Sequence, residues 1–305
     1  MKTRNLLGLV GLALAIGLSQ PGHASAQAQD SQKKYIDPSS AAPTDTGGPL
    51  TVSLRSSFLS SYYYRGLALY PGVSIQPSGG VFYNLGDYGT IGGSIWMQVP
   101  AEDSQETVTF FDEDGNKIVE DLNQKFFELD STLSYDVTID KATVSVGHIW
   151  YTDPGYGDDI FFQNGIKRNL GERAPDTSEF YVGLALDVPS SPQFTLYYDY
   201  RTLEYFYYSL GFSHNFEIPA LGEGFNLTPF VVFGFAGSAA DDIPVYNRNG
   251  LEHVNLGVAT NLKWGMFQVK PNFTYVFGTD KEVNGVERTS DQFIVGVDIG
   301  YDFGV

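Results

Sequence analysis

The chain contains no cysteine, so neither a disulfide framework nor a thiolate metal site is open to it. Cations are scarce: 18 Lys and Arg stand against 36 Asp and Glu, a formal net charge of −18. Nucleic-acid phosphates are held by clustered cations, so no nucleic-acid partner is expected. Charged residues of both signs reach only 18% of positions, below the quarter that is usual in soluble domains. Tryptophan and methionine number three each. What is abundant is Tyr (20), Phe (22) and Gly (34). So many aromatics exclude a disordered acidic chain. The balance suits a protein whose outside need not face water everywhere.

The one long apolar run stands at the start. Lys2 and Arg4 precede Leu6 to Leu18; Pro21 and Gly22 follow, then Ala24-Ser25-Ala26. A basic segment, an apolar segment and a small-x-small site in that order read as a cleavable signal peptide over 1–26. The run is shorter than the roughly 20 residues a spanning helix needs. Residues 27–49, rich in Gln, Ser, Ala, Asp and Pro, have no apolar period and read as a flexible periplasmic tail. From 50 to 305 no comparable linker interrupts the pattern, so one β-domain is expected there.

The period in that domain is two. Leu50, Val52, Leu54, Phe58, Tyr62 and Tyr64 alternate with Thr51, Ser53, Arg55, Ser57, Ser61 and Arg65. Phe127 to Val137, Phe180 to Leu186, Phe225 to Phe235, Val254 to Leu262 and Phe293 to Val305 alternate in the same way. Apolar side chains on one face and small or polar ones on the other are the pattern of strands with two different faces. Turn residues between the runs give about twelve strands: 50–65, 72–85, 90–100, 125–137, 142–152, 177–188, 193–201, 205–216, 225–235, 252–262, 267–278 and 290–304. Connections alternate between short, as at 86–89 and 138–141, and longer and polar, as at 101–124 and 153–176. Gly66–Pro71 and Thr202–Glu204 are expected to be tight connections on the long-loop side. Tyr62, Tyr64, Tyr198, Tyr200, Phe273, Tyr275 and Phe277 end the apolar faces with aromatics, as interfacial girdles do. The expectation is an all-β, transmembrane, antiparallel up-and-down barrel in the bacterial outer membrane. A lipocalin-like barrel would turn its apolar face inward, yet the opposite face here carries too many Gly, Ser, Asn and charged residues for a dry core.

The chain end adds a signal of its own. Asp298, Gly300, Phe303 and Val305 fit the terminal pattern by which outer-membrane barrels are delivered to their assembly machinery: a polar residue, a glycine, then alternating apolar residues. At the first strand, Ser60-Ser61-Tyr62-Tyr63-Tyr64-Arg65-Gly66 resembles the Ser-Asp-Tyr-x-Phe-Arg-Gly opening of the TorF-like porin family, with Ser61 in place of the Asp. Gln76-Pro77 and Ile95-Trp96 fall where that family carries Gln and Trp. The resemblance implies a pore-like outer-membrane barrel and brings no catalytic residues.

Catalytic readings find little geometry. Ser213 and His214 are neighbours in one strand and so point to opposite faces, as do Ser145 and His148 at an odd offset. His253 follows Glu252 at a strand start and is expected to point inward. No catalytic residue is therefore assigned. Asp112-Glu113-Asp114-Gly115-Asn116 has the acids of a Ca²⁺ loop, but position twelve is Asn123 where the loop needs Glu. It reads as a hairpin turn, like Asn284-Gly285. No metal or cofactor is expected. Charges facing lipid cost kilocalories, which points Arg55, Arg65, Arg201 and Lys270 into the lumen with Glu128, Asp130, Asp136, Glu179, Asp187, Asp199, Asp298 and Asp302. These are the selectivity candidates, with Arg65 the most informative position and Arg201 expected to join it. The expected function is a passive channel for small solutes. Its partners would be outer-membrane lipid, lipopolysaccharide and the assembly machinery. A lipid-acting enzyme and an adhesive barrel with acidic loops are the alternatives.

Overall fold

The computed structural model describes residues 48–70, 72–101, 104–111, 117–124, 127–152, 160–163, 166–169, 176–201, 205–218, 220, 225–238, 250–278, 282–283, 286–287 and 291–304. The expected signal peptide 1–26, the expected tail as far as residue 47, the turns expected at 112–116 and 284–285, the tight connection expected at Thr202–Glu204, and Val305 of the terminal pattern lie outside these residues.

Twelve long strands carry the fold. They are β1 (Leu50–Leu59), β2 (Ser74–Asn84), β3 (Thr90–Pro100), β4 (Glu128–Ile139), β5 (Ala142–Thr152), β6 (Thr177–Leu186), β7 (Gln193–Asp199), β8 (Tyr205–Ser213), β9 (Asn226–Ser238), β10 (Gly250–Ala259), β11 (Phe267–Gly278) and β12 (Gln292–Gly304). Each pairs antiparallel with its neighbours in sequence, and β1 pairs with β12, from Thr51 opposite Gly304 to Leu59 opposite Gly296. The sheet is therefore a closed ring of twelve strands. Closure leaves no strand edge without a partner.

Alternation decides which face is which. Along β1, Leu54 and Phe58 are exposed while Thr51 and Ser53 are buried. Along β6, Phe180, Val182 and Leu184 are exposed while Glu179, Tyr181 and Ala185 are buried. The large apolar side chains thus look outward and the polar ones inward, the reverse of a water-soluble barrel. The outer face is banded. Trp150, Phe180, Tyr198, Tyr200, Phe206, Phe277 and Phe293 lie at the strand ends that lead into the long connections. Tyr83, Tyr88, Trp264, Phe267 and Tyr301 lie at the short-turn end. Leu54, Val81, Ile95, Leu133 and Leu256 fill the belt between them. Many girdle rings pair across strands: Tyr198 stacks on Phe206 at 4.5 Å and Tyr208 on Phe235 at 4.9 Å.

Several long connections continue as ribbons. Ser104–Phe111 pairs with Lys117–Gln124, Ile160–Gln163 with Ile166–Asn169, and Glu282–Val283 with Val286–Glu287. The Asp-Gly and Asn-Gly hairpins read from the sequence have strands where expected. Boundaries differ elsewhere. Leu262, which the sequence pattern gives to the tenth strand, and Lys263 and Trp264, which it gives to the connection after it, fold back on Phe267–Val269 as a small hairpin.

The largest departure is at the first strand. It ends at Leu59, not at 65. Ser60 ends the pairing with β12, its N–H donating to the carbonyl oxygen of Val295 at 2.9 Å and its Oγ accepting from the Val295 N–H at 3.1 Å. The chain then forms its own hairpin, Tyr62–Tyr64 against Leu67–Tyr70, in a separate two-stranded sheet. Tyr62 and Tyr70 are wholly buried and Tyr63 nearly so. Tyr62 and Tyr64 are therefore not girdle residues, and the connection around Gly66 is not a tight outer turn. It is a hairpin folded into the barrel. Tyr62 lies 5.8 Å from the Trp96 ring, and Tyr63 packs on the inward-facing apolar residues Leu59, Val276 and Ile294.

A closed ring of ladder bonds makes one prediction about the whole fold. In SDS without heating the protein should run as a compact band with a β-type circular dichroism spectrum, shifting only on boiling. Unfolding in cold SDS would contradict the barrel.

Candidate functional site

The hairpin turns on two residues, Arg65 and Gly66, both with positive φ, at 49° and 85°. Two-residue hairpin loops favour this twist, with Asn or Asp before Gly. Gly66 fits twice over, because a Cβ there would stand 3.0 Å from the Cβ of His253. Arginine in the left-handed region costs about 1–2 kcal/mol. Its side chain shows what offsets that cost.

Arg65 reaches across the lumen to β6. Its two terminal nitrogens donate to the two carboxylate oxygens of Glu179, both at 2.7 Å. The fork is bidentate and both partners are buried, with side-chain exposures of 3% and 1%. Tyr151 on β5 donates to Glu179 Oε2 at 2.7 Å and Tyr205 on β8 donates to Oε1 at 3.2 Å. Arg65 also donates to the Tyr205 hydroxyl. Around the guanidinium stand four tyrosine rings: Tyr207 at 4.3 Å, Tyr197 at 4.7 Å, Tyr64 at 4.8 Å and Tyr205 at 5.7 Å. A cation close to ring faces is held by their quadrupoles, most strongly where water is excluded.

The wall supports this cage. Tyr207 shares a hydrogen bond of 2.8 Å with His253 Nε2, and His253 Nδ1 one of 2.9 Å with Asn255. Both groups need Gly234, where a Cβ would collide with His253 Nε2 and stand 2.6 Å from the Tyr207 oxygen. Below the hairpin, Tyr62 donates to Glu128 at 3.3 Å. Ser61 donates to Gln292 at 3.2 Å. Ser74, Gln76 and Gln98 form a buried knot of hydroxyl and amide bonds beside it.

The selectivity candidates fall into separate groups. Arg65 and Glu179 are joined in the clamp. Glu128 accepts from Tyr62 of the hairpin, and Asp130, buried, lies opposite Trp96 and Tyr151 in the ladder. Asp199 braces the mouth: it accepts from Thr177 Oγ1 at 2.7 Å and from the Arg201 backbone N–H at 3.1 Å. Arg201 itself is exposed at that bend and does not join Arg65. Asp187 lies at the short-turn end, just past β6. Arg55 and Lys270 belong to a second group lower in the barrel. Asp302 accepts from Arg55 at 3.0 Å, from Ser53 at 2.7 Å and from Gln268 at 2.8 Å. Lys270 stands opposite Asp298 in the ladder, and Asp298 accepts from Asn272 at 3.2 Å. Gly300 lies opposite both Arg55 and Gln268, and Phe303 opposite Val52. The tyrosines of the cage are the functional residues that sequence reasoning misses. Their signal is parity: with Tyr198 outward, Tyr197 must look inward.

His148 is on the outer face, where its Nε2 shares a 2.8 Å hydrogen bond with the Tyr200 hydroxyl and its ring lies 4.0 Å from Trp150. Ser145 is on the inner face. His214 lies past the end of β8 against the carbonyl oxygen of Pro189. Among the described residues no cluster of His, Cys, Asp and Glu could hold a metal ion.

No protein-family model matches the chain, and no curated protein does. Among solved structures, it is similar to an outer membrane channel from Pseudomonas putida F1, at 11% identity and a TM-score of 0.44 over 94% of this chain and 100% of that one. It is similar to the Pseudomonas putida toluene transporter TodX at 9% identity and 0.44, over 94% and 98%. It is similar to LpxR from Salmonella typhimurium at 9% and 0.45, over 82% and 99%. At such scores and identities, function has to be argued from this chain's own residues.

The clamp predicts a local effect. Leaving a buried charge without its partner costs about 3–5 kcal/mol. Glu179→Gln should therefore free the turn, and trypsin should cut after Arg65 at least about tenfold faster than in the wild type, while the barrel stays SDS-resistant. Equal cleavage rates would show that Glu179 does not hold the hairpin.

Proposed function

We propose that the chain is a passive outer-membrane channel for small solutes, and that the inward hairpin is its closing element. The outer surface supports the membrane setting. An apolar belt between two aromatic bands is what a membrane strand presents to hydrocarbon and interface, and here it wraps a closed ring with a polar inside. In that setting the end carrying both Leu50 and Gly304 faces the periplasm and the long connections face outward. The resemblance to TorF-like porins fits the same reading. The residues that carry it build the hairpin and its seat: Tyr62, Tyr64, Arg65 and Gly66 in the hairpin, Gln76 and Trp96 on the wall beside it.

One observation carries the channel reading. The hairpin pairs with no barrel strand, and the ring closes without it. Withdrawing it would break side-chain contacts and leave every wall ladder intact. A plug that can leave without unfolding its barrel is the arrangement of a gate. The interior around and behind it is acidic. Glu128, Asp130, Asp136, Asp199, Asp298 and Asp302 face inward against Arg55 and Lys270, and withdrawal would strip Glu179 of its cation. Acidic rings favour cations.

A lipid-acting enzyme would need a nucleophile and a base within reach on the outer face. His148 has a tyrosine hydroxyl and aromatic rings as neighbours there, and the nearby serine is on the other face. The arrangement favours permeation without turnover.

Planar bilayers test this. The wild type should show small or rare openings with cation preference, and Arg65→Asn should raise conductance and cation preference. Asn keeps the turn, since it tolerates positive φ, so the change isolates the guanidinium. No current from either protein, or equal current from both, would contradict the proposal.

A further inference from the structure

Among the described residues, those around the Arg65 guanidinium belong almost entirely to the wall. Tyr151 comes from β5, Glu179 from β6, Tyr197 from β7, Tyr205 and Tyr207 from β8; Tyr64 alone comes from the hairpin. If the hairpin withdraws, four strands still present a carboxylate with two tyrosine hydroxyls on its oxygens and three ring faces around the space before it. We infer that this is a recognition site for guanidinium-bearing solutes, occupied in the closed state by the chain's own Arg65. The inference rests on the channel reading for its consequence, since an arriving guanidinium would displace Arg65 and release the gate.

The chemistry favours that class of ligand. A planar, delocalised, weakly hydrated cation matches both halves of the site: its fork fits the carboxylate edge-on, and its face stacks on aromatic rings. A small inorganic cation offers neither and gives up its hydration at greater cost. The local backbone points the same way. The turn would take Asn or Gly at position 65 with less strain, yet it carries arginine at a φ of 49°. The strain is tolerated because the wall site is complementary to that side chain. Place matters as well. Tyr151, Glu179 and Tyr205 stand within three residues of their strands' long-connection ends. A solute coming from that side meets this site before the lower Arg55–Asp302 group.

The test is chemical rescue in the full-length barrel. Arg65→Gly keeps the turn and empties the cage. Its heat-shift midpoint, the temperature at which the folded gel band converts, is measured with low-millimolar guanidinium chloride, sodium chloride or urea. Guanidinium should restore the midpoint at concentrations about tenfold below any effect of sodium, neutral urea should not, and adding Glu179→Gln should abolish the rescue. In bilayers, guanidinium should raise the current of the wild type. Guanidinium behaving like sodium in the midpoint assay would overturn the inference. A conducting Arg65→Gly that guanidinium does not stabilise would sink the site and leave the channel reading standing. Rescue of the midpoint with no current from any variant would do the opposite. Should Arg65→Gly fail to fold, Arg65→Lys keeps the charge and loses the fork. Guanidinium should then displace it at lower concentrations than in the wild type, read as the onset of trypsin cleavage after residue 65; equal concentrations would overturn the inference.

Discussion

Closure of the sheet is the constraint on which everything else depends. Pairing β1 with β12 removes the last strand edge, so the ring needs nothing inside it for backbone satisfaction. That frees the interior for side chains and lets the segment after Leu59 fold inward as a sheet of its own. It also sets the faces. With each wall strand paired on both sides, alternation sends Leu54, Val182 and Leu256 to the outside and Ser53, Glu179 and His253 to the inside.

Within that ring the polar contents are arranged in two tiers. The lower tier is a wall brace, in which Arg55, Ser53 and Gln268 converge on Asp302 across β1, β12 and β11. Neighbouring strands contribute all of it, so it ties staves together. The upper tier joins elements that the ladder does not join. Arg65 spans from the hairpin to β6, and tyrosines of the hairpin and two further strands close around it. The difference bears on the proposed gating: a brace between adjacent staves is fixed by their ladder, whereas a clamp between a separate hairpin and the wall would open without breaking one.

The barrel is legible in the sequence and the clamp is not, for a physical reason. Strand period is a local property, and residues 50 to 59 and 177 to 186 display it plainly. Tyr62 and Tyr64 continue the same parity after the chain has left the wall, so periodicity cannot mark the departure at Ser60. The only local signs are Ser60-Ser61 and Arg65-Gly66, and a positive φ at an arginine is not something that composition announces. Parity makes Glu179 an inward acid, which fits its place in the wall. Its partner lies 114 positions away, and no period links the two. Arg201 lies near the same mouth as Arg65, which is why the sequence suggests a pairing, but the bend after Asp199 turns it outward.

Gating of the lumen by the hairpin can be tested by a cross-link, because the chain has no cysteine of its own. A Cβ at Gly66 would lie 3.0 Å from the Cβ of His253. Disulfides need about 3.5–4.5 Å, so a small shift suffices. A barrel carrying Gly66→Cys and His253→Cys should lock its hairpin when oxidised. Bilayer current measured before and after adding a reductant decides the matter. The oxidised barrel should be silent and openings should appear on reduction; the same current in both states would rule out gating by the hairpin.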